Sequence, residues 1–177
     1  CINQYPFTSK AIHIMSKPDM HHPFRFIYTL LLVLLLTQGL QGVGQTIINQ
    51  PTITTNTTWD LAGSPYHVVA PGGLLINGAT LTIEPGVTVL FDDFVFLELT
   101  LGGELIAIGT PTDSIYFDWL SPGTTWGGLS ALSGTKAHLS YTVIKHTGYH
   151  SFFRYDSDNF FTHSTYTDND GGIGSIL

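Results

Sequence analysis

Through the middle of the chain, apolar and polar side chains alternate in short runs bounded by Gly, Pro, Asp and Ser. In GATLTIEPGVTVLFDD, residues 78–93, Leu81 and Ile83 form one apolar pair, and Val87, Val89 and Phe91 form the next group. A period of two predicts strands with one buried face. Between the runs stands Glu84-Pro85-Gly86. Pro85 lacks a backbone donor and Gly86 tolerates unusual dihedrals, so the ladder is interrupted there. A tight hairpin would favour Asn-Gly or Asp-Gly. The pattern therefore predicts two strands joined at a corner, with the chain running on instead of folding back.

The runs recur. Phe91, Phe117, Val143 and Thr167 each end a β-type run, at intervals of 26, 26 and 24 residues. Leu81, Leu105, Leu129 and Phe152 form a second series, at intervals of 24, 24 and 23. Periods of about 20 to 50 residues mark solenoids, blades or arrays. A propeller blade needs about 40 residues, and the Leu and Asn lattice of leucine-rich repeats is missing. Three short strands per coil, joined by bends, fit a parallel β-helix whose coils stack at about 4.8 Å. The expected inward columns are Leu81, Ile83, Val87, Val89, Leu105, Ile115, Phe117, Leu139, Tyr141 and Val143. Almost all are aliphatic or aromatic, as a dry core requires.

The segments TLTIEPGVTVLF, GELIAIGTPTDSIYF, WGGL and HLSYTVIKHTG, followed by THSTYTDNDGGI, resemble secreted bacterial right-handed parallel β-helix repeat proteins. The resemblance covers about residues 60–173. It implies an all-β, right-handed solenoid with coils of about 23–26 residues, preceded by a signal-peptide helix. One stretch departs from the pattern: FDDFVFLELTL is more apolar than such a coil normally is, which leaves the register of 94–101 open. Residues 60–177 are expected to form the coils, with 45–59 as a linker or cap. Residue 177 falls within a continuing repeat, which predicts an amino-terminal piece of a longer protein with further domains downstream.

The first forty-four residues follow different rules. From Met20, a short start carrying Arg25 leads into the apolar run Phe26–Leu36 and then small and polar residues up to Gly44. This is the three-part plan of a secretory signal peptide over 20–44, with Gln45 as the mature start. The strongly apolar part is shorter than the roughly 20 residues that span a bilayer, so the membrane enters only through export. Residues 1–19 do not begin with Met and are expected to be an untranslated or disordered leader. The implied location is secreted or outer cell surface.

Charge narrows the partners. The chain of 177 residues carries a formal charge of −7, and only Lys136, Lys145 and Arg154 are basic beyond residue 44. Such a surface disfavours nucleic acid. The lone cysteine is Cys1, so neither an intrachain disulfide nor a cysteine zinc site is available.

Candidate chemistry follows from the repeat. Asp92, Asp118 and Asp168 each follow the residue that ends a run, which would stack them in one column beside Asp93. Like charges about 5 Å apart repel unless solvated or bridged by a cation, so calcium is the candidate cofactor. Asp168, Asn169 and Asp170, ahead of two glycines, add half of a calcium-type loop. The structural alternative is a set of hydrated turn aspartates. His138, His146, His150 and His163 lack the spacing of a zinc site. Trp119, Tyr149, Phe152, Phe153 and Tyr155 are candidates for stacking on sugar rings, whereas Trp126 opens WGGL and is expected to pack at a coil boundary. No activated-serine motif accompanies the many hydroxyls.

The resulting expectation is a non-catalytic, exported scaffold or adhesin whose partner is a polysaccharide or a host or cell-surface glycan. The alternatives are a polysaccharide lyase or hydrolase on the same solenoid, with Arg154 and Lys145 as the nearby basic groups, or a carbohydrate-binding module. Fold analogy alone separates them poorly.

Overall fold

A computed structural model describes residues 44–149, 151–154, 158–170 and 173–176. The expected leader, and the signal-peptide segment up to residue 43, lie outside the described residues. Among the described residues no helix is long and apolar enough to cross a membrane.

The described chain winds through three kinds of strand in a fixed cycle. The first coil holds β1 (Thr46–Ile48), β2 (Thr52–Ile53) and β3 (Thr57–Trp59), within the stretch 45–59 expected as a linker or cap. The second holds β4 (Tyr66–Val68), β5 (Leu74–Asn77) and β6 (Thr80–Ile83). The third holds β7 (Thr88–Phe91), β8 (Phe96–Thr100) and β9 (Glu104–Ile108). The fourth holds β10 (Ile115–Trp119), β11 (Gly128–Ala131) and β12 (Lys136–Ser140). The fifth holds β13 (Thr142–Lys145), β14 (Ser151–Arg154) and β15 (Asp158–Thr162), and β16 (Thr165–Thr167) with β17 (Ile173–Ile176) begin another. Every third strand joins the same sheet, giving three parallel sheets that begin at β1, β2 and β3. This is an all-β parallel β-solenoid of about five turns.

Glu84-Pro85-Gly86 turns the predicted corner. It joins β6 to β7 in a different sheet, and Gly86 sits at φ 80°, a region open to glycine at little cost. Inside, side chains stack coil on coil. Leu74, Leu97 and Leu129 form one aliphatic column, and Thr57, Leu81, Leu105 and Ala137 form another. The uncertain stretch 94–101 resolves as β8, with Leu97 and Leu99 inward and fully buried.

Of the ten residues expected inside, eight are buried: Leu81, Ile83, Val87, Val89, Leu105, Ile115, Phe117 and Leu139. Tyr141 and Val143 are not. Tyr141 is the one-residue corner between β12 and β13, held at φ 49°, and its ring stacks on that of His163, the corresponding corner one coil later. A left-handed residue bends the chain into the next sheet and restarts the alternation. Thr142 and Ile144 then point inward, and Val143 points out.

The same effect corrects the proposed columns. Phe91 is level with Val68 and Trp119, whereas Phe117 is level with Val89 and Ile144. Val143 lies beside Tyr116, and Thr167 beside Lys145. In the second series Leu81 does meet Leu105, but Leu129 belongs to a different sheet and meets Leu97. The coils are unequal in length. Extra residues between β9 and β10 place Tyr116 over Thr88, 28 positions earlier, instead of 26.

In the second coil, Tyr66 is only 6% exposed, stacks on Trp59 at 4.7 Å, and accepts a 3.0 Å hydrogen bond from the Asp60 amide. Burial pushes its phenol above the ordinary value of 10.0, and the Asp60 and Glu84 carboxylates add to the rise, while a backbone hydrogen bond at Asp60 opposes it. The folded protein thus holds this proton more tightly than the unfolded chain. Its contribution is complete below about pH 10 and is lost as pH rises through the folded value.

Two outcomes test this description. Ile144→Ala should cost about 2–5 kcal/mol and Val143→Ala under about 1 kcal/mol in urea unfolding, the reverse of what the expected columns imply. Alkaline unfolding should set in above about pH 10, and Tyr66→Phe should shift that onset relative to its own neutral-pH stability.

Candidate functional site

The corner that follows β7, β10 and β13 gathers most of the chemistry-bearing side chains. β7 ends at Phe91, which is fully buried, and Asp92 is the first residue beyond it. The next turn closes with the Val95 amide donating to the Asp92 carbonyl at 3.2 Å. Phe94 occupies the left-handed region within it, at φ 58°.

One coil later, β10 is followed by eight residues, Leu120 to Gly127, before β11 begins. This longer loop is pinned back onto the turn below. The Thr125 amide donates to Asp93 Oδ1 at 3.2 Å, and the Phe94 amide donates to the Thr125 carbonyl at 2.9 Å. Trp126 then dives into the core with no exposed surface, as its position in WGGL predicted. Its indole stacks on Phe91 at 4.2 Å and donates from Nε1 to the Lys145 carbonyl at 2.6 Å. Gly127 lies under the Phe96 ring so closely that any Cβ there would overlap the ring.

Two histidines complete the corner, each tied to a candidate aspartate. A carboxylate can only accept, so the ring N–H donates in each pair. His67 Nε2 lies 2.7 Å from Asp92 Oδ1, and His146 Nδ1 lies 2.6 Å from Asp118 Oδ1. Asp118 Oδ1 also accepts from the Trp119 amide at 2.8 Å. The Trp119 and His146 rings stack with centroids 3.6 Å apart and planes 2° from parallel. His146 is thereby fixed in orientation on two sides, with Nε2 outside the pair.

Asp92, Asp93, Leu120, Ser121 and Thr124 line a hollow of about 350 Å³ between the turn after β7 and the longer loop. Beyond it, Tyr149 packs against Phe94 and Phe96, with ring centroids 6.3 and 5.5 Å apart. Tyr149 and Phe94 both keep about half of their surface in solvent, 48% and 55%.

Of the four calcium candidates, Asp92, Asp118 and Asp168 do not form the expected column. Asp118 lies within β10, level with Leu90 and, beyond it, His67. Asp92 instead neighbours Leu120, whose amide donates to the Phe91 carbonyl. Asp168 is an exposed left-handed corner at φ 56°, and its carbonyl accepts from the His146 amide. Asp170 is exposed, with its amide donating to the Thr147 carbonyl. Asn169, between them, bridges coils: its Oδ1 accepts from the Thr147 amide, and its Nδ2 donates to the carbonyls of Ile144 and Thr167. The reason for the difference is the 28-residue offset between β7 and β10, which carries Asp118 away from Asp92. Among the described residues no group of three or more His, Cys, Asp or Glu side chains is gathered for a metal.

The other histidines lie apart. His138 meets Phe160 edge-on on the sheet that contains β12, His163 stacks on Tyr141, and His150 falls outside the described residues. The side chains of Phe152, Phe153 and Tyr155 also lie outside them. Sequence reasoning missed His67, Phe94, Ser121 and Thr124. Only the coil-to-coil register shows that His67 faces Asp92, 25 positions later.

No protein-family model matches the chain, and no curated protein or solved structure matches it.

With one oxygen of Asp92 and of Asp118 already committed to a histidine, and the two in different columns, like-charge repulsion gives calcium little to relieve. Millimolar calcium should therefore leave the melting temperature within about 1 °C of its metal-free value, since only a ligand of the folded state raises it. A larger rise that Asp118→Asn removes would restore the cation site.

Proposed function

We propose that the chain is an exported scaffold of adhesin type, held at the cell surface or released, with no catalysis in this segment and with a glycan as its partner. The observation that carries the reading is the division between inside and outside. Leu, Ile, Val and Phe columns fill the interior, so stability comes from stacking alone and the three outer faces are free to vary. Those faces carry threonines, scattered aromatic rings and few charges. This composition suits contact with hydroxyl-rich polymers better than with nucleic acid. The tripartite stretch at 20–44 supports export.

A second reading, a polysaccharide lyase or hydrolase, draws on one specific arrangement. His146, oriented by Asp118 and braced by Trp119, has the form of a general base held in one tautomer. Lys145 stands next to it in the chain, as a basic group beside the dyad.

Expression with the native leader in an exporting bacterium separates these claims. Amino-terminal sequencing of the released or surface-bound protein should begin at Gln45, and recovery of the uncleaved chain in the cytoplasm would overturn export. Production of new reducing ends or unsaturated sugars from a polysaccharide panel, abolished in His146→Ala, would favour the enzyme.

A further inference from the structure

We propose that the hollow between the turn after β7 and the loop after β10, together with the rings of Phe94 and Tyr149, is a binding site for neutral saccharide. The proposal rests on the scaffold reading only for its biological setting.

The volume is the first argument. About 350 Å³ lies at the lower end of the roughly 300–1,000 Å³ of small-molecule pockets, enough for a short saccharide unit but not for a folded partner. The chemistry of its wall is the second. Asp92 Oδ1 is taken by His67 and Asp93 Oδ1 by the Thr125 amide, so each carboxylate keeps a second oxygen as an acceptor. Thr124 Oγ1 donates to the Ser121 carbonyl, so this hydroxyl too offers its lone pairs. A wall rich in acceptors calls for a ligand rich in donors, and sugar hydroxyls are such donors. The same carboxylates repel uronates and sulfated sugars, which excludes acidic polysaccharide.

The rings are the third argument. Asp93 and Thr124 line the hollow, and the chain leaves it in both places along one hydrogen-bonded pair, Phe94 with Thr125. Phe94 is held at φ 58°, where a bulky side chain is uncommon and strained. Among the other aromatic residues at left-handed corners the rings stack face to face, as Tyr141 does on His163 and His146 on Trp119. Phe94 only tilts against Tyr149, and both rings remain about half exposed. Folding alone would be served as well by Gly or Asn at this position. A flat apolar ring at that place suits the C–H face of a sugar whose hydroxyls reach the aspartates.

Affinity electrophoresis of the full chain tests the site, using gels cast with xylan, mannan or β-glucan, and with polygalacturonate or polylysine as comparisons. At least one neutral polymer should retard the protein, and polygalacturonate should not. Phe94→Asn and Tyr149→Ala should each weaken retardation about 10-fold, the loss of roughly one good contact. Phe94→Asn should do so with a melting temperature within about 3 °C of wild type, because Asn accepts the left-handed conformation. Asp93→Asn, which still accepts from the Thr125 amide, should also weaken it. No retardation by any neutral polymer, retardation unchanged in both ring variants, or retardation by polylysine alone would overturn the proposal. None of these outcomes depends on whether the leader is cleaved.

Discussion

Every coil of this protein must lay its inward side chains directly over those of the coil before it. The parallel ladder enforces that condition at a spacing of about 4.8 Å, and the rest of the structure is arranged around it. Column residues such as Leu74, Leu97 and Leu129 gain burial only because their backbones are in register. A one-residue slip would turn each of them outward. Coils of unequal length must therefore absorb their differences somewhere other than in the strands.

The corners absorb them. Positive φ at Phe94, Leu101, Tyr141, His146, His163 and Asp168 lets short corners bend the chain into the next sheet and restart the alternation. Several of these corners repeat from coil to coil, and there the side chains reinforce one another, as with the Tyr141 and His163 rings. Polar corners use hydrogen bonds for the same end. Asn169 joins the fifth coil to the sixth through bonds to the Thr147 amide and the Ile144 carbonyl, and a third bond holds the Thr167 carbonyl within its own coil. Unpaired, each of those groups would cost about 1–3 kcal/mol if buried.

Where the extra residues are too many for a corner, they bulge outward and make a surface. The loop after β10 is anchored at one end by the core, through Trp126 on Phe91, and at the other by the half-buried stack of Trp119 on His146. Its middle is anchored by Asp93 and the Phe94 amide. The hollow beside it is thus a by-product of register keeping, yet its wall holds Asp92 of the Asp92–His67 pair and the acceptors of Asp93 and Thr124. In a solenoid stabilised from within, such an edge can change its side chains with little effect on the columns beneath it.

The amino-acid sequence by itself determined the strand type, the corner at Glu84-Pro85-Gly86, the solenoid class and most of the core. Those features depend on alternation over four or five residues and on the dihedral limits of Pro and Gly, which are local. It also placed Trp126, which opens WGGL, at a coil boundary, where the structure buries it against Phe91. Only the tertiary structure decided that Ile144 and not Val143 faces inward, that Asp118 stands apart from Asp92, and that His67 and Asp92 meet. Each of these follows from how many residues a corner consumes. That number is set by left-handed residues and by bonds between coils, neither of which leaves a periodic trace in the chain.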